Sequence, residues 1–163
     1  MSKHPDYKQL PDLAQKVEGE WKRFFVKNKK KIEKMDVFIH DLHDVFFEQI
    51  DCLSCGNCCR TLGPRITDKD AERMAKSVRM KATDFIVRYL RVDEDGDMVF
   101  QSIPCPFLGI DNYCTVYESR PKACREYPHT NRKRFYQIYN LSIKNAYTCP
   151  VVFQVLENIR KAP

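Results

Sequence analysis

Glycine is scarce in this sequence, five residues in 163. None of them builds a Gly-rich loop after a predicted strand, so a dinucleotide or adenosyl-methionine site lacks its usual sequence support. No segment approaches a run of about 18 apolar residues, which excludes a transmembrane helix and gives no reason to expect a membrane partner. The stretch "MSKHPDYKQLPDLAQK" lacks the apolar core of a secretory signal. Taken as a full natural chain, the sequence is therefore expected to be cytoplasmic. There is no internal repeat, no low-complexity segment and no legible Ser/His/Asp arrangement, so whether the protein is an enzyme stays open.

What is present argues for a folded globule. Hydrophobic residues make up 43% of the chain and aromatics 12%, well above a disordered composition. Leu13, Val17, Trp21, Phe24 and Phe25 recur at helical spacing, and Ile32, Met35, Phe38, Ile39, Leu42, Val45, Phe46 and Ile50 do so again. They predict helices over about 12–28 and 30–50, with room for continuity through "KNKKK". Thr67 or Asp68 caps a helix to about Lys76, Thr83–Leu90 reads as a short helix, and "RPKACREY" as another with Pro121 in its first turn. "RVDEDGDMVFQS" predicts a hairpin turning at Asp95-Gly96, and "CPFLGIDNYCTVY" a second one near Asp111-Asn112. Pro150 begins a final helix whose apolar face is Val151, Val152, Val155, Leu156 and Ile159. The expected fold is α+β and mainly helical: a small, irregular, cysteine-rich metal-binding domain over residues 52–163 with short hairpins, and an N-terminal helical segment, 1–51, packed on it.

The chemistry lies in eight cysteines: Cys52, Cys55, Cys58, Cys59, Cys105, Cys114, Cys124 and Cys149. In a reducing compartment such a pattern points to metal or redox chemistry, and in a secreted chain to disulfides. Two-residue spacers let one turn offer both sulfurs to one ion, with nearby amides stabilising their charge. Three cysteines at this spacing are similar to the start of a ferredoxin cluster run, but the fourth ligand that run needs is absent. Cys58 and Cys59 are adjacent, and adjacent side chains diverge on a helix or a strand. One can then serve a site with Cys52 and Cys55 while the other faces elsewhere, which suggests two neighbouring sites, or one site plus a spare thiol, completed by the four later cysteines.

Charge supports a local reading of these cysteines. Residues 1–51 are neutral overall, so the whole net charge of +6 falls in 52–163. Eight thiolates on two divalent ions would lower that by four, which argues against nucleic acid as a partner despite a pI near 8.9. Arg60, Arg65, Arg120, Lys122 and Arg125 punctuate the cysteine stretches, either as thiolate partners or as ordinary surface cations. Of the histidines, His4 is near the terminus. His40 and His43 share a helix face and could chelate weakly, or be solvated or half-packed, and His129, which follows "CREYP", is read either as a ligand or proton donor or as a surface or supporting residue. "TNRKRFYQIY" interleaves Arg132, Lys133 and Arg134 with Phe135, Tyr136 and Tyr139, the best patch for phosphates and stacked bases.

"CLSCGNCCR", then "CPFLGIDNYCTVYESRPKACREYP", then a late Cys-Pro resembles the CxxCxxCC cysteine-cluster (YkgJ-type) proteins, whose domain is described as zinc- or iron-chelating. The resemblance spans about 52–150 and leaves out residues 1–51 and the last helix. It implies metal binding through all eight cysteines, with zinc or iron as mononuclear ions or an iron–sulfur cluster. Flagellin lysine N-methylases are similar in the cysteine motif alone. Three functions follow as expectations: a metal-binding protein of undefined physiological role, an iron–sulfur redox or protein-modification enzyme, and a metal-scaffolded nucleic-acid- or protein-binding module. A metal-free thiol oxidoreductase ranks last, because the expected βαβ context is missing.

Overall fold

The first apolar stripe forms α1 (Leu10–Ile32), opened by Pro11 near its N-terminus and closed by Lys29, Lys30 and Lys31, which suit the negative end of the helix dipole. A computed structural model describes residues 5–163, so His4 lies outside the described residues. The helix runs on through "KNKKK" with a kink at Asn28, whose amide donates to the Phe24 carbonyl (2.9 Å). The break between the first two helices falls later than expected, at 33–35, before α2 (Asp36–Gln49). Ile32 and Ile39 flank that turn and are both fully buried in the same core, so the turn lets both helices face it. Then follow α3 (Cys52–Cys55), α4 (Asn57–Thr61), α5 (Asp68–Ser77), α6 (Ala82–Tyr89), β1 (Leu90–Val92), β2 (Met98–Phe100), α7 (Lys122–Glu126), α8 (Tyr139–Asn145) and α9 (Pro150–Lys161). The fold is mainly helical α+β, as expected from the sequence. Among the described residues no helix is long and apolar enough to cross a membrane.

The chain divides into two compact units. One comprises the described residues up to Cys55 together with Pro128–Pro163. Its centre is α9, which packs on α1, α2 and α8. Val151, Val152, Val155, Leu156 and Ile159 are all buried, which matches the predicted face, and Phe153 joins them. Trp21 is fully buried, edge-on to Phe153 at 5.4 Å. Its Nε1 donates to Glu157 Oε1 (2.9 Å), and Arg160 joins Glu157 to Glu20. Burial opposes ionisation of Glu157, but bonds from Arg160, Trp21 and Lys161 outweigh it and hold its carboxyl below the ordinary range.

The same unit carries a loop held to α2 by three side chains. The Asp36 carboxylate accepts the backbone N–H groups of Arg134 (2.6 Å) and Phe135 (3.0 Å). His40 Nε2 bonds the Arg132 carbonyl (3.1 Å), and His43 Nδ1 shares a 2.6 Å bond with the buried Thr130 hydroxyl. The expected His40/His43 pair thus serves as a clasp for this loop. Burial, with some help from His40, lowers the His43 pKa, and Asp44 works against it.

The second unit, Gly56–Tyr127, has a separate core of Ile66, Ala71, Met74, Ala75, Phe85, Leu90, Phe100, Phe107 and Val116. Phe107 is its hub, lying 4.9–5.9 Å from the rings of Phe85, Tyr89 and Phe100. The predicted hairpin forms with Leu90 opposite Phe100 and Val92 opposite Met98. Gly96 takes φ +81° in its turn, a left-handed conformation that favours glycine. The second expected hairpin shortens to a single bridge, Leu108 with Cys114, around a turn in which Asn112 has φ +66°.

Replacing Trp21 by Phe removes the indole donor to Glu157 and part of the buried ring. The expected cost is about 1–3 kcal/mol, read as a lower urea midpoint. An unchanged midpoint would show that the indole bond adds nothing to this core.

Candidate metal centre

The opening cysteines sit on two single helical turns. Cys52 and Cys55 are the ends of α3, and Cys58 and Cys59 lie inside α4. Between them Gly56 takes φ +54°, and a Cβ there would come within 3.0 Å of the Arg60 guanidinium and 3.2 Å of Asn112. The unit boundary falls at this glycine, so Cys52, Cys55 and Cys149 belong to the first unit and the other five cysteines to the second. No disulfide links any of the described cysteines.

In the second unit Cys105, Cys114 and Cys124 lie near enough to Cys59 to feel its charge. The Cys105 N–H donates to the Cys59 carbonyl (2.8 Å), which sets the Cys105 loop beside α4. The Leu108–Cys114 bridge folds Cys114 back toward Cys105. Cys124 arrives on α7. Burial pushes the Cys105 thiol up to about 11, and the neighbouring Cys59 and Cys114 add to the rise. Burial likewise lifts Cys124 to about 12, with Cys59, Cys105 and Cys114 all contributing, and it lifts Cys114 as well. Cys59 goes the other way, to about 7, because the Cys58 thiol donates to it and Arg60 attracts its charge, both against burial.

The backbone favours anionic sulfur at these positions. Amides of Phe107 and Leu108 bond Cys105, and the amide of Val116 bonds Cys114. In the first unit the amides of Val151 and Val152, in the opening turn of α9, bond Cys149. Burial raises Cys149 to about 12, and the nearby Cys52 and Cys55 raise it further, so these three sulfurs form a second group.

The structure sorts the cations that the sequence left undivided. Arg60 acts on Cys59, and Arg120 lowers both Cys114 and Cys124. The Arg120 guanidinium lies 3.7 Å over the Tyr117 ring and donates to the Tyr117 carbonyl (2.8 Å). Arg65 pairs with Asp97 (2.9 Å) and Lys122 with Glu126 (3.6 Å), both as surface ion pairs. The described contact of Arg125 is the bond of its backbone N–H to the Pro121 carbonyl. His129 has φ +67°, and its carbonyl accepts from the Arg132 N–H (3.0 Å). In the expected basic-aromatic patch Phe135 and Tyr139 are fully buried in the first core, so neither ring is available for stacking on a base.

Two supporting residues were not foreseen. Asp70 is 2% exposed, and it is the N3 member of a capping box with Thr67. Its carboxylate accepts from Thr67, from Arg73 Nη2 (2.6 Å) and from the Lys122 N–H (3.1 Å). Arg73 also donates to the Arg120 carbonyl (3.0 Å). Asp70 thereby fixes the start of α7, and with it Cys124. The "TDKD" box was the signal for the cap, but the reach to Lys122 is tertiary. The second is Asn112, whose side-chain oxygen accepts from Arg60 and so orients the cation beside Cys59.

Once deprotonated, these sulfurs are soft ligands that suit zinc or iron, and the amides and two arginines would offset their charge. Among the described residues no three ligand side chains are yet drawn in to coordination distance, so the sulfurs are grouped but not closed on an ion.

Burial opposes ionisation of Asp70, but its hydrogen bonds outweigh that and lower its pKa from 3.8 to about 2. Its contribution to stability is therefore full above about pH 4 and is lost as pH falls toward 2. Asp70→Asn should cost about 1–3 kcal/mol at pH 7 and flatten this acid limb, with the α5 and α7 amides exchanging faster. Gly56→Ala should destabilise the second unit by about 1–2 kcal/mol through its left-handed φ and its crowding of Arg60, measured by thermal denaturation.

A family model described as "CxxCxxCC: putative zinc- or iron-chelating domain" matches residues 51–149, a span that includes all eight cysteines. No curated protein and no solved structure matches the chain significantly. The family match covers well over half of the sequence, and the chain belongs to the CxxCxxCC family.

Proposed function

We propose that this protein chelates zinc or iron through its cysteines. Cys59, Cys105, Cys114 and Cys124 would form one thiolate site, and Cys52, Cys55 and Cys149 would contribute to another. The observation that carries the reading is the gathering of Cys105, Cys114 and Cys124 around Cys59, inside the span of a family described as zinc- or iron-chelating. All-sulfur donors suit a tetrahedral zinc ion, an iron ion and an iron–sulfur cluster alike. Bound there, the metal would act as a cross-link among segments far apart in the sequence, so its binding energy would be folding energy. The chain's own part is to hold the sulfurs close, to bond them with amides, and to place Arg60 and Arg120 against the excess negative charge of a four-thiolate site.

Anaerobic purification followed by elemental analysis and a visible spectrum tests the reading. The expected result is about one or more equivalents of zinc or iron per chain, with Cys124→Ser losing about one equivalent. Chelation should also lower the thermal midpoint and the helical circular dichroism. Visible absorption with acid-labile sulfide would assign an iron–sulfur cluster, and a colourless zinc protein would exclude one. Protein that takes up no metal, and whose stability ignores chelators, would overturn the proposal.

A further inference from the structure

Two basic runs lie about one hundred residues apart in the sequence. The first is Lys27, Lys29, Lys30 and Lys34 around the end of α1, and the second is Arg132, Lys133 and Arg134; all seven side chains are exposed. Asp36 brings the runs together, because its carboxylate bonds the Arg134 and Phe135 amides two residues beyond Lys34. The acids in the turn do little to offset them. Glu33 and Asp36 set two negative charges against seven positive ones, and the Asp36 carboxylate is held at those two amides. Lys31 is engaged differently, donating to the Ala162 carbonyl (3.2 Å).

Basic residues near the cysteines offset the charge of thiolates. The structure gives that task to Arg60 and Arg120, both in the second unit, while these cations belong to the first. We propose that the α1–α2 turn and the 132–134 loop together bind the sugar–phosphate backbone of a nucleic-acid duplex, without reading its base sequence. A polyanion complements the clustered charge, and contacts to phosphates alone carry no sequence information. A duplex fits better than a single strand, since Phe135 and Tyr139 are buried and the half-buried Tyr136, packed against the core, is the one ring of the patch left for stacking. It also fits better than an anionic membrane. The exposed face of α2 beyond its first turn carries Asp41, Asp44 and Glu48, which a broad anionic surface would meet and a narrow rod can avoid.

The test uses the full chain as purified, with fluorescently labelled duplexes of unrelated sequence, as DNA and as RNA, followed by anisotropy across a salt series. Binding should be independent of sequence and should weaken with salt with a log–log slope of about −4 to −5. Lys30→Gln/Lys34→Gln and Arg132→Gln/Lys133→Gln should each reduce that slope by about 2, with metal content and circular dichroism unchanged. Unchanged metal content in these variants separates the result from the fate of the metal site. The proposal fails if no duplex binds at low salt, or if either pair of substitutions leaves the slope intact. It also fails if vesicles rich in phosphatidylserine bind where duplexes do not.

Discussion

A half-buried sulfur resists ionisation, and several placed together resist it more. The elements around Cys59 are arranged under that constraint. Cys105, Cys114 and Cys124 are all pushed upward, chiefly by burial and further by one another. The second unit meets this with fixed positive groups in place of solvent: the amides of Phe107, Leu108 and Val116, and the guanidinium groups of Arg60 and Arg120. These donors are themselves tied down, Arg60 by Asn112 and Arg120 by its own stack on Tyr117 and by Arg73 at its carbonyl. These dipoles already face the sulfurs, so the groups that offset thiolate charge need not reorient when the sulfurs ionise.

The two cores support their cysteines differently. In the second unit the cysteines lie on loops and single turns, and the fixed points are the Asp70 carboxylate and the aromatic cluster at Phe107. Phe107 follows Cys105 by two residues, so the chain that presents the sulfur also anchors itself in the core. In the first unit Cys149 stands at the head of α9, the most buried helix of its core. Its position is set by the packing of Val151, Val152 and Val155, and the opening turn of that helix supplies its amide donors.

Much of the architecture was legible because it rests on local rules. Apolar periodicity marked α1, α2 and α9, the Thr67 cap marked α5, and Asp95-Gly96 marked the hairpin turn. The boundary between α1 and α2 was less legible. No glycine or proline stands there, and the break answers to where Ile32 and Ile39 must both point. The roles of the polar residues were harder still. His40 and His43 share a face as their spacing requires, but their partners, Arg132 and Thr130, lie about ninety residues away. The rings of Phe135 and Tyr139 looked available beside a basic run, and only the core of the first unit claims them.

The eight cysteines and their spacing, the family they define and the helical character of the chain were determined by the sequence alone, because each depends on residue type and short-range order. Which sulfurs become neighbours, which arginines attend them and which cations are left exposed were decided by tertiary structure. Those relations depend on distance between residues far apart in the chain, and Coulombic and hydrogen-bond energies depend on that distance, whatever the position in sequence.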